Sequence, residues 1–217
     1  MGKLYQYVAL SLLATVAGFF VGLSFIPASL VAAANRILLL FLLILLLAVW
    51  IVKLARQRTS GPIRFPIWYV YLFAFVEGVL LYPSMMYYLA TLGVVLFAEI
   101  VLGTMVTFAI LAYMGQREES GAYTSLSRTL FVVLTVMVVL SLVNIFLRLD
   151  TLSTLLSAVG VFVFSAYILV DVNQCKTAYE AGLLQDSADY SIYVLNVYLD
   201  IIRLLQDLLH LARKLKH

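Results

Sequence analysis

The chain has 217 residues, of which 65% are hydrophobic and 12% are charged, a composition far more apolar than that of a soluble domain. Its apolar runs are continuous and lack the alternation of strands, which excludes an outer-membrane barrel and predicts an all-α integral membrane protein. The net charge of +3 is small and lies in loops, so a nucleic-acid partner is not expected.

The chain contains few residues of the types that bind cofactors or metals. Cys175 is the single cysteine, which rules out an internal disulfide. Neither His210 nor His217 has a Cys or His neighbour at metal-ligand spacing, so we predict no zinc or haem site. The chain also lacks a Gly-rich phosphate loop and a nucleophile elbow. We therefore expect no tightly bound cofactor and no enzymatic activity.

The first predicted span, Tyr5–Phe25, contains 21 uncharged residues. The apolar core of a signal peptide is only about 7–15 residues long, so this segment is interpreted as a retained helix. Ala14, Gly18 and Gly22 recur at every fourth position. This small-residue face predicts close contact with another helix.

Three further spans follow before the first long polar loop. The second, Ile37–Val52, is almost entirely Leu, Ile and Val, and the Gly- and Pro-containing segment 59–66 ends it. The third starts at Pro66 or Ile67 and is predicted to end at Tyr82, because a proline comes next. The fourth, Leu89–Gly115, has Glu99 near its middle.

Three spans fill the rest of the chain, after the turn-rich loop 116–127. The fifth runs from about Thr129 to Leu147, and the sixth covers roughly Leu152–Cys175. The seventh is the second apolar run of a hairpin, Gly160–Arg213. We therefore predict seven helices in a single domain, residues 1–217.

The seventh span carries a polar seam, a series of polar residues at alternating steps of three and four. At about 100° per residue, the seam covers a quarter to a third of the helix circumference. Asp200–Arg203 and Arg203–Asp207 can therefore pair along one face. A flat interfacial helix, a polar contact between buried helices, and a pore or proton path are all compatible with the seam. Its members are Tyr193, Asn196, Asp200, Arg203, Asp207, His210 and Lys214.

Four carboxylates lie within the predicted spans: Glu77, Glu99, Asp171 and Asp200. A charged side chain at the bilayer centre costs roughly 2.5–3.5 kcal/mol on insertion scales, so each should face the protein interior. We expect Glu77 or Glu99 to line an ion path, together with Asn196. The alternative is that each glutamate is merely hydrogen-bonded to Ser, Thr or Tyr on a neighbouring helix.

The basic residues of the loops indicate an orientation. An excess of Lys and Arg marks the cytoplasmic side of a membrane protein. The side that holds the N-terminus carries Lys3, Lys53, Arg56, Arg58, Arg64, Arg117, Arg128 and Lys176. The opposite side carries Arg36, Arg148, Arg213, Lys214 and Lys216. This distribution favours an N-terminus inside.

Five short motifs resemble the transmembrane Bax inhibitor motif family, close to its bacterial members. They occur in the family's order and spacing and cover nearly the whole chain. The last two, each with an aspartate in an apolar run, are the most specific. The motifs are FAFVEG (73–78), EIVLGT (99–104), LVNIF (142–146), FSAYILVDVNQ (164–174) and VLNVYLDIIRLL (194–205).

The resemblance implies a seven-helix fold in which the last helix is central and surrounded by the other six. It implies a pH-sensitive calcium leak across the cytoplasmic membrane of a prokaryote. The family's aspartate pair corresponds to Asp171 and Asp200, and its basic latch to Lys53 or Arg56, in a linker that is longer here. An acidic residue of bacterial relatives has no counterpart in Ile37–Val52.

The residue types agree with a transported calcium ion. Calcium takes 6–8 oxygen ligands, so Asp171 and Asp200 with one glutamate would form only a weak site. A weak site suits passage, because a permeant ion must leave as well as enter. Two carboxylates in a low-dielectric interior cannot both ionise cheaply, so we expect them to share a proton and act as pH sensor and gate.

Two other functions compete with the leak. Two aspartates on neighbouring helices also describe an intramembrane aspartyl protease, although the sequence NVYLD at Asp200 lacks that class's Gly-x-Gly-Asp. A non-transporting regulator would bind other membrane proteins and produce no ion flux in liposomes. Membrane lipid and calcium ions are the other expected partners.

Overall fold

The computed structural model describes residues 1–31 and 64–216, which are helical almost throughout. The predicted second span, residues 59–63 of the segment that follows it, and both candidate latch residues, Lys53 and Arg56, lie outside the described residues, as does His217. Six helices have defined bounds within the described part. They are α1 (Gly2–Phe25), α2 (Trp68–Leu92), α3 (Val94–Arg117), α4 (Thr124–Leu147), α5 (Asp150–Glu180) and α6 (Ser187–Lys216).

Helix lengths agree with an all-α membrane protein. Among the described helices, α1 to α5 are long and apolar enough to cross a membrane. The last helix, α6, has 30 residues and is therefore about 45 Å long, more than the roughly 30 Å of a bilayer's hydrocarbon core. It is less apolar than the others because it carries the polar seam. The predicted fold class is confirmed.

The boundary between α2 and α3 differs from the prediction. Helix α2 continues through Pro83 to Leu92, so the predicted end at Tyr82 is wrong. Within a membrane, a helix tolerates a proline, which here removes only the N–H partner of the Val79 carbonyl. The chain turns instead at Gly93, whose φ of +84° favours glycine.

Helix α6 is the most enclosed of the described helices. Its fully buried side chains include Val194, Tyr198, Ile201 and Leu204, and it packs against α1, α2, α3 and α5. Among the described elements, α4 contacts only α5. The last helix is thus central, and four of the other five described helices contact it, whereas α4 is separated from it by a cleft.

The small-residue face of α1 packs closely against α2, as the sequence predicts. A Cβ added to Gly18 would collide with the carbonyl oxygen of Phe75, and one added to Gly78 would collide with that of Thr15. A Cβ on Gly22 would lie 2.6 Å from the ring of Tyr82. Small residues in a membrane gain van der Waals contact where larger ones would be blocked, so the prediction for Gly18 and Gly22 is confirmed.

Candidate functional site

Asp171 and Asp200 meet across the antiparallel hairpin of α5 and α6. Asp171 lies nine residues before the end of α5, and Asp200 lies 13 residues after the start of α6, about 14 Å and 20 Å along their helices. The two carboxyl groups are hydrogen-bonded to each other, and each residue is only 7% exposed. The structure therefore brings this predicted pair together, and we call it the carboxylate pair.

The carboxylate pair has few other partners. Asp200 Oδ2 is buried and has no hydrogen-bond partner in the described part of the chain. The ion pairs found there involve Arg64–Asp189, Lys176–Glu180 and Lys214–Asp150, so none reaches Asp171 or Asp200. Because ionised carboxylates only accept hydrogen bonds, a bond between two of them needs one proton. The geometry is thus compatible with a shared proton.

A cavity of about 980 Å³ occupies the cleft between α4, α5 and α6, and we call it the central cavity. Its α4 wall is largely apolar, with Phe131, Leu134 and Met137. Its α6 wall is polar and consists mainly of seam residues. The carboxylate pair belongs to the lining, so the two acids border this cleft. The polar side chains that line the cavity are Ser127, Ser141 and Asn144 on α4, Ser153, Ser157, Tyr167, Asp171 and Gln174 on α5, and Asn196, Asp200, Arg203, Gln206 and Asp207 on α6.

Arg203 faces this cavity without the predicted intrahelical ion pairs. Its Nη1 donates to Gln206 Oε1 at 3.3 Å, and no carboxylate of the described residues lies within 4.0 Å of its guanidinium. The predicted pairs with Asp200 and Asp207 are therefore wrong for this structure. The reason is tertiary, because both acids turn toward α5.

The remaining seam residues attach α6 to α5. Asp207 is hydrogen-bonded to Ser157 and fits against Gly160, where a Cβ would collide with Oδ2. His210 Nε2 lies 3.2 Å from Ser153 Oγ, and Lys214 Nζ lies 3.3 Å from Asp150 Oδ1. The seam is thus partly a polar contact between buried helices. The interpretation of α6 as a flat interfacial helix is wrong, because α6 lies among four other helices.

Comparison with known proteins agrees with this geometry and with the motifs. A family model described as inhibitor of apoptosis-promoting Bax1 matches residues 1–216. The chain belongs to the Bax inhibitor family. It is also 28% identical over 211 residues to an uncharacterized protein of Campylobacter jejuni, covering 96% of this chain and 85% of the relative. Family membership and the apolar helices together identify an integral membrane protein.

The two glutamates of this Bax inhibitor family member do not line the central cavity. Glu77, on α2, is hydrogen-bonded to Tyr198, which is the alternative that the sequence left open. Glu99 lies in the second turn of α3 rather than near the middle of a span, and it is exposed. The expectation that Glu99 faces the interior is therefore wrong. Asn196 does line the cavity, as expected.

Sequence reasoning missed the role of Asn173, which lies two residues after Asp171. Asn173 Nδ2 donates to the carbonyls of Gly115 and Glu119 at 3.1 and 3.0 Å. Its Oδ1 accepts from the Gly121 N–H at 3.2 Å. One buried amide thus fixes the end of α3 and the following loop to α5. A polar residue within an apolar run is the signal that the sequence offers, but spacing alone does not identify its partners.

Both ends of α6 are anchored in this family member. At the loop end, Asp189 accepts from the N–H groups of Asp186 and Gln185, both at 3.0 Å. Arg64 Nε lies 2.9 Å from its other oxygen. These N–H groups, and then Arg64, lower the pKa of Asp189. At the far end, Lys216 Nζ donates to the carbonyls at the C-terminus of α2 at 2.9 and 3.0 Å.

Proposed function

We propose that the protein is a pH-sensitive calcium or cation leak in which the carboxylate pair is both pH sensor and gate. The observation that carries this proposal is the position of Asp171 and Asp200. They are buried, hydrogen-bonded to each other and part of the wall of the central cavity. Membership in the Bax inhibitor family also supports this proposal. The calcium ion is cargo in this proposal and not a resident cofactor.

The oxygen atoms of the central cavity suit transient binding. Asp171 and Asp200 offer carboxylate oxygens, and Gln174 and Asn196 offer amide oxygens. Calcium prefers 6–8 oxygen ligands, so these groups leave part of the coordination to water. The resulting site is weak, and a weak site lets an ion pass through.

In this proposal, the gate depends on the negative charge of the carboxylate pair. With one shared proton the pair carries one negative charge and holds a cation. The candidate latch cations are Lys53 and Arg56, which lie outside the described residues. A second proton removes the charge on which this attraction depends. Mild acidification on the basic-loop side therefore releases the latch and changes the leak.

We propose that the protein lies in the cytoplasmic membrane of a prokaryote, with its N-terminus on the cytoplasmic side. The excess of basic loop residues on that side supports this orientation. The basic residues at the opposite end of α6 have structural partners, which explains their presence there. Arg213 donates to the Tyr87 hydroxyl at 3.2 Å, and Lys214 and Lys216 bind Asp150 and the end of α2.

Calcium flux into dye-loaded proteoliposomes tests the proposal. Purified wild-type protein should admit calcium faster than protein-free liposomes, and Asp171→Asn and Asp200→Asn should each change the rate. Asp186→Asn is the matched control, because Asp186 is exposed in the loop between α5 and α6. It should behave like the wild type.

The same preparation separates the alternatives. An absence of flux from correctly folded wild-type protein would contradict the leak and favour a non-transporting regulator of other membrane proteins. Cleavage of a reporter substrate that Asp200→Asn abolishes would instead favour an intramembrane protease.

A further inference from the structure

His210 lies near the end of α6, ten residues after Asp200 and therefore about 15 Å further along the helix. It is half-buried, and each of its ring nitrogens has a neighbour. Nε2 lies 3.2 Å from Oγ of Ser153 on α5. Nδ1 lies 3.3 Å from Nη2 of Arg213, one turn further along α6. The imidazole is thus held from both sides.

The chemistry of these neighbours fixes the position of the imidazole proton. A guanidinium only donates hydrogen bonds and stays charged in proteins, so Nδ1 of His210 must be the acceptor from Arg213. A ring nitrogen accepts only when it carries no proton, and a neutral imidazole then has its one proton on Nε2. Nε2 therefore donates to Ser153 Oγ. A doubly protonated ring would point an N–H at the guanidinium and lose this bond.

Arg213 extends the contact from His210 to α2. Its Nη1 donates to the Tyr87 hydroxyl at 3.2 Å, and its guanidinium carbon lies 5.4 Å from the centre of that ring, within cation–π range. Four side chains thereby join three helices, and we call them the polar bridge: Ser153 on α5, His210 and Arg213 on α6, and Tyr87 on α2. The bond between His210 and Arg213 is its middle link, so the bridge is complete only when His210 is neutral.

The charges around the polar bridge do not supply a counter-ion for a protonated His210. Asp150 is the acid nearest to it on α5, and it is already paired with Lys214 at 3.3 Å. No described carboxylate lies within 4.0 Å of the imidazole. An added proton would therefore place a second cation against Arg213. The titratable and charged groups that face the bridge are Asp207, Arg213 and Lys214 on α6, Asp150 on α5, and Tyr87 and Tyr88 on α2.

We propose that His210 is a proton-binding switch at the end of α6 opposite the loop between α5 and α6. Neutral His210 accepts from Arg213 and completes the polar bridge. When the ring binds a proton from water, at pH values near and below about 6.5, Nδ1 becomes a donor and the bond to Arg213 breaks. The end of α2 then loses its hydrogen-bonded link to α5. This switch goes beyond the proposed leak, because the release of Arg213 is expected whether or not the protein conducts ions.

Nitrogen NMR of protein labelled with ¹⁵N-histidine tests the proton position. The chain has two histidines, so His217→Gln leaves His210 as the only labelled residue. At about pH 8 the spectrum should show one neutral tautomer with its proton on Nε2, and at about pH 5 a doubly protonated ring. Adding Arg213→Leu removes the donor to Nδ1, so the proton should then exchange between both nitrogens. Arg117→Leu is the matched control, because Arg117 also lies over a tyrosine ring, that of Tyr113 at the end of α3. It should keep the Nε2 tautomer.

Melting curves of the wild type and Arg213→Leu measure the release of Arg213. The bond forms only with neutral His210, so its stabilising contribution is present above about pH 6.5 and is lost as the pH falls below that value. Arg213→Leu should therefore lower the melting temperature more at about pH 8 than at about pH 5. An equal decrease at both pH values would overturn the proposal. So would a neutral His210 with its proton on Nδ1, a result that does not depend on how the Arg213 variant folds.

Discussion

Arg203 is the residue whose charge most directly opposes a cation in the central cavity. It is exposed there, while the neighbouring acids of its own helix, Asp200 and Asp207, turn toward α5. At an effective dielectric constant of 20, two unit charges 4 Å apart interact by about 4 kcal/mol. A fixed cation in the path can therefore limit the passage of calcium substantially.

Replacing Arg203 by Gln should raise calcium flux, because the repulsive charge disappears while a hydrogen-bonding amide remains. A barrier lowered by about 1.4 kcal/mol would give roughly a tenfold increase. Flux into dye-loaded proteoliposomes measures the effect. Arg203→Lys keeps the charge and should retain the wild-type rate. Equal rates for the Gln variant and the wild type would exclude Arg203 as a barrier.

At the scale of helices, the contact between α1 and α2 depends on the absence of side chains. Gly18→Leu should lower the melting temperature in detergent, because its Cβ would collide with the backbone of Phe75, which cannot rotate away. Overpacking of this kind typically costs about 1–3 kcal/mol. Gly103→Leu is the matched control, since no atom of another described helix lies within 4 Å of a Cβ there. Similar melting temperatures for both variants would mean that the α1–α2 contact is not tight.

The start of α6 should show a pH-dependent stability. The pKa of Asp189 is lowered in the folded protein by the N–H groups of Asp186 and Gln185 and by Arg64. A lowered pKa stabilises the fold at pH values above the unfolded pKa of about 3.9, and this stabilisation is lost as the pH falls through the folded value. The Asp189→Asn variant should therefore have a lower melting temperature than the wild type at neutral pH.

Melting curves at neutral pH and below about pH 4 measure this effect, and the difference between the two proteins should shrink in acid. Asp186→Asn serves as the control, because that side chain is exposed. A constant difference across the pH range would show that the Asp189 charge does not stabilise the start of α6.

For the whole molecule, the sequence predicts the helices better than the contacts between them. Long apolar runs predict the spans, and the family motifs predict the meeting of Asp171 and Asp200. Spacing along α6 shows which residues share a face, but not that α5 draws Asp207 away from Arg203. Likewise, the position of Glu99 near the middle of a predicted span does not reveal that its side chain is exposed on α3. The single-domain organisation and the latch remain predictions.

The pH profile of calcium flux tests the central claim most directly. The measurement compares wild-type protein with Asp171→Asn/Asp200→Asn in proteoliposomes, over external pH from about 5 to 8, where a shared carboxyl proton would titrate. We predict that the wild-type leak changes with mild acidification and that the double variant loses this dependence. A double variant that folds normally and keeps the wild-type pH profile would contradict the role of the carboxylate pair as sensor and gate.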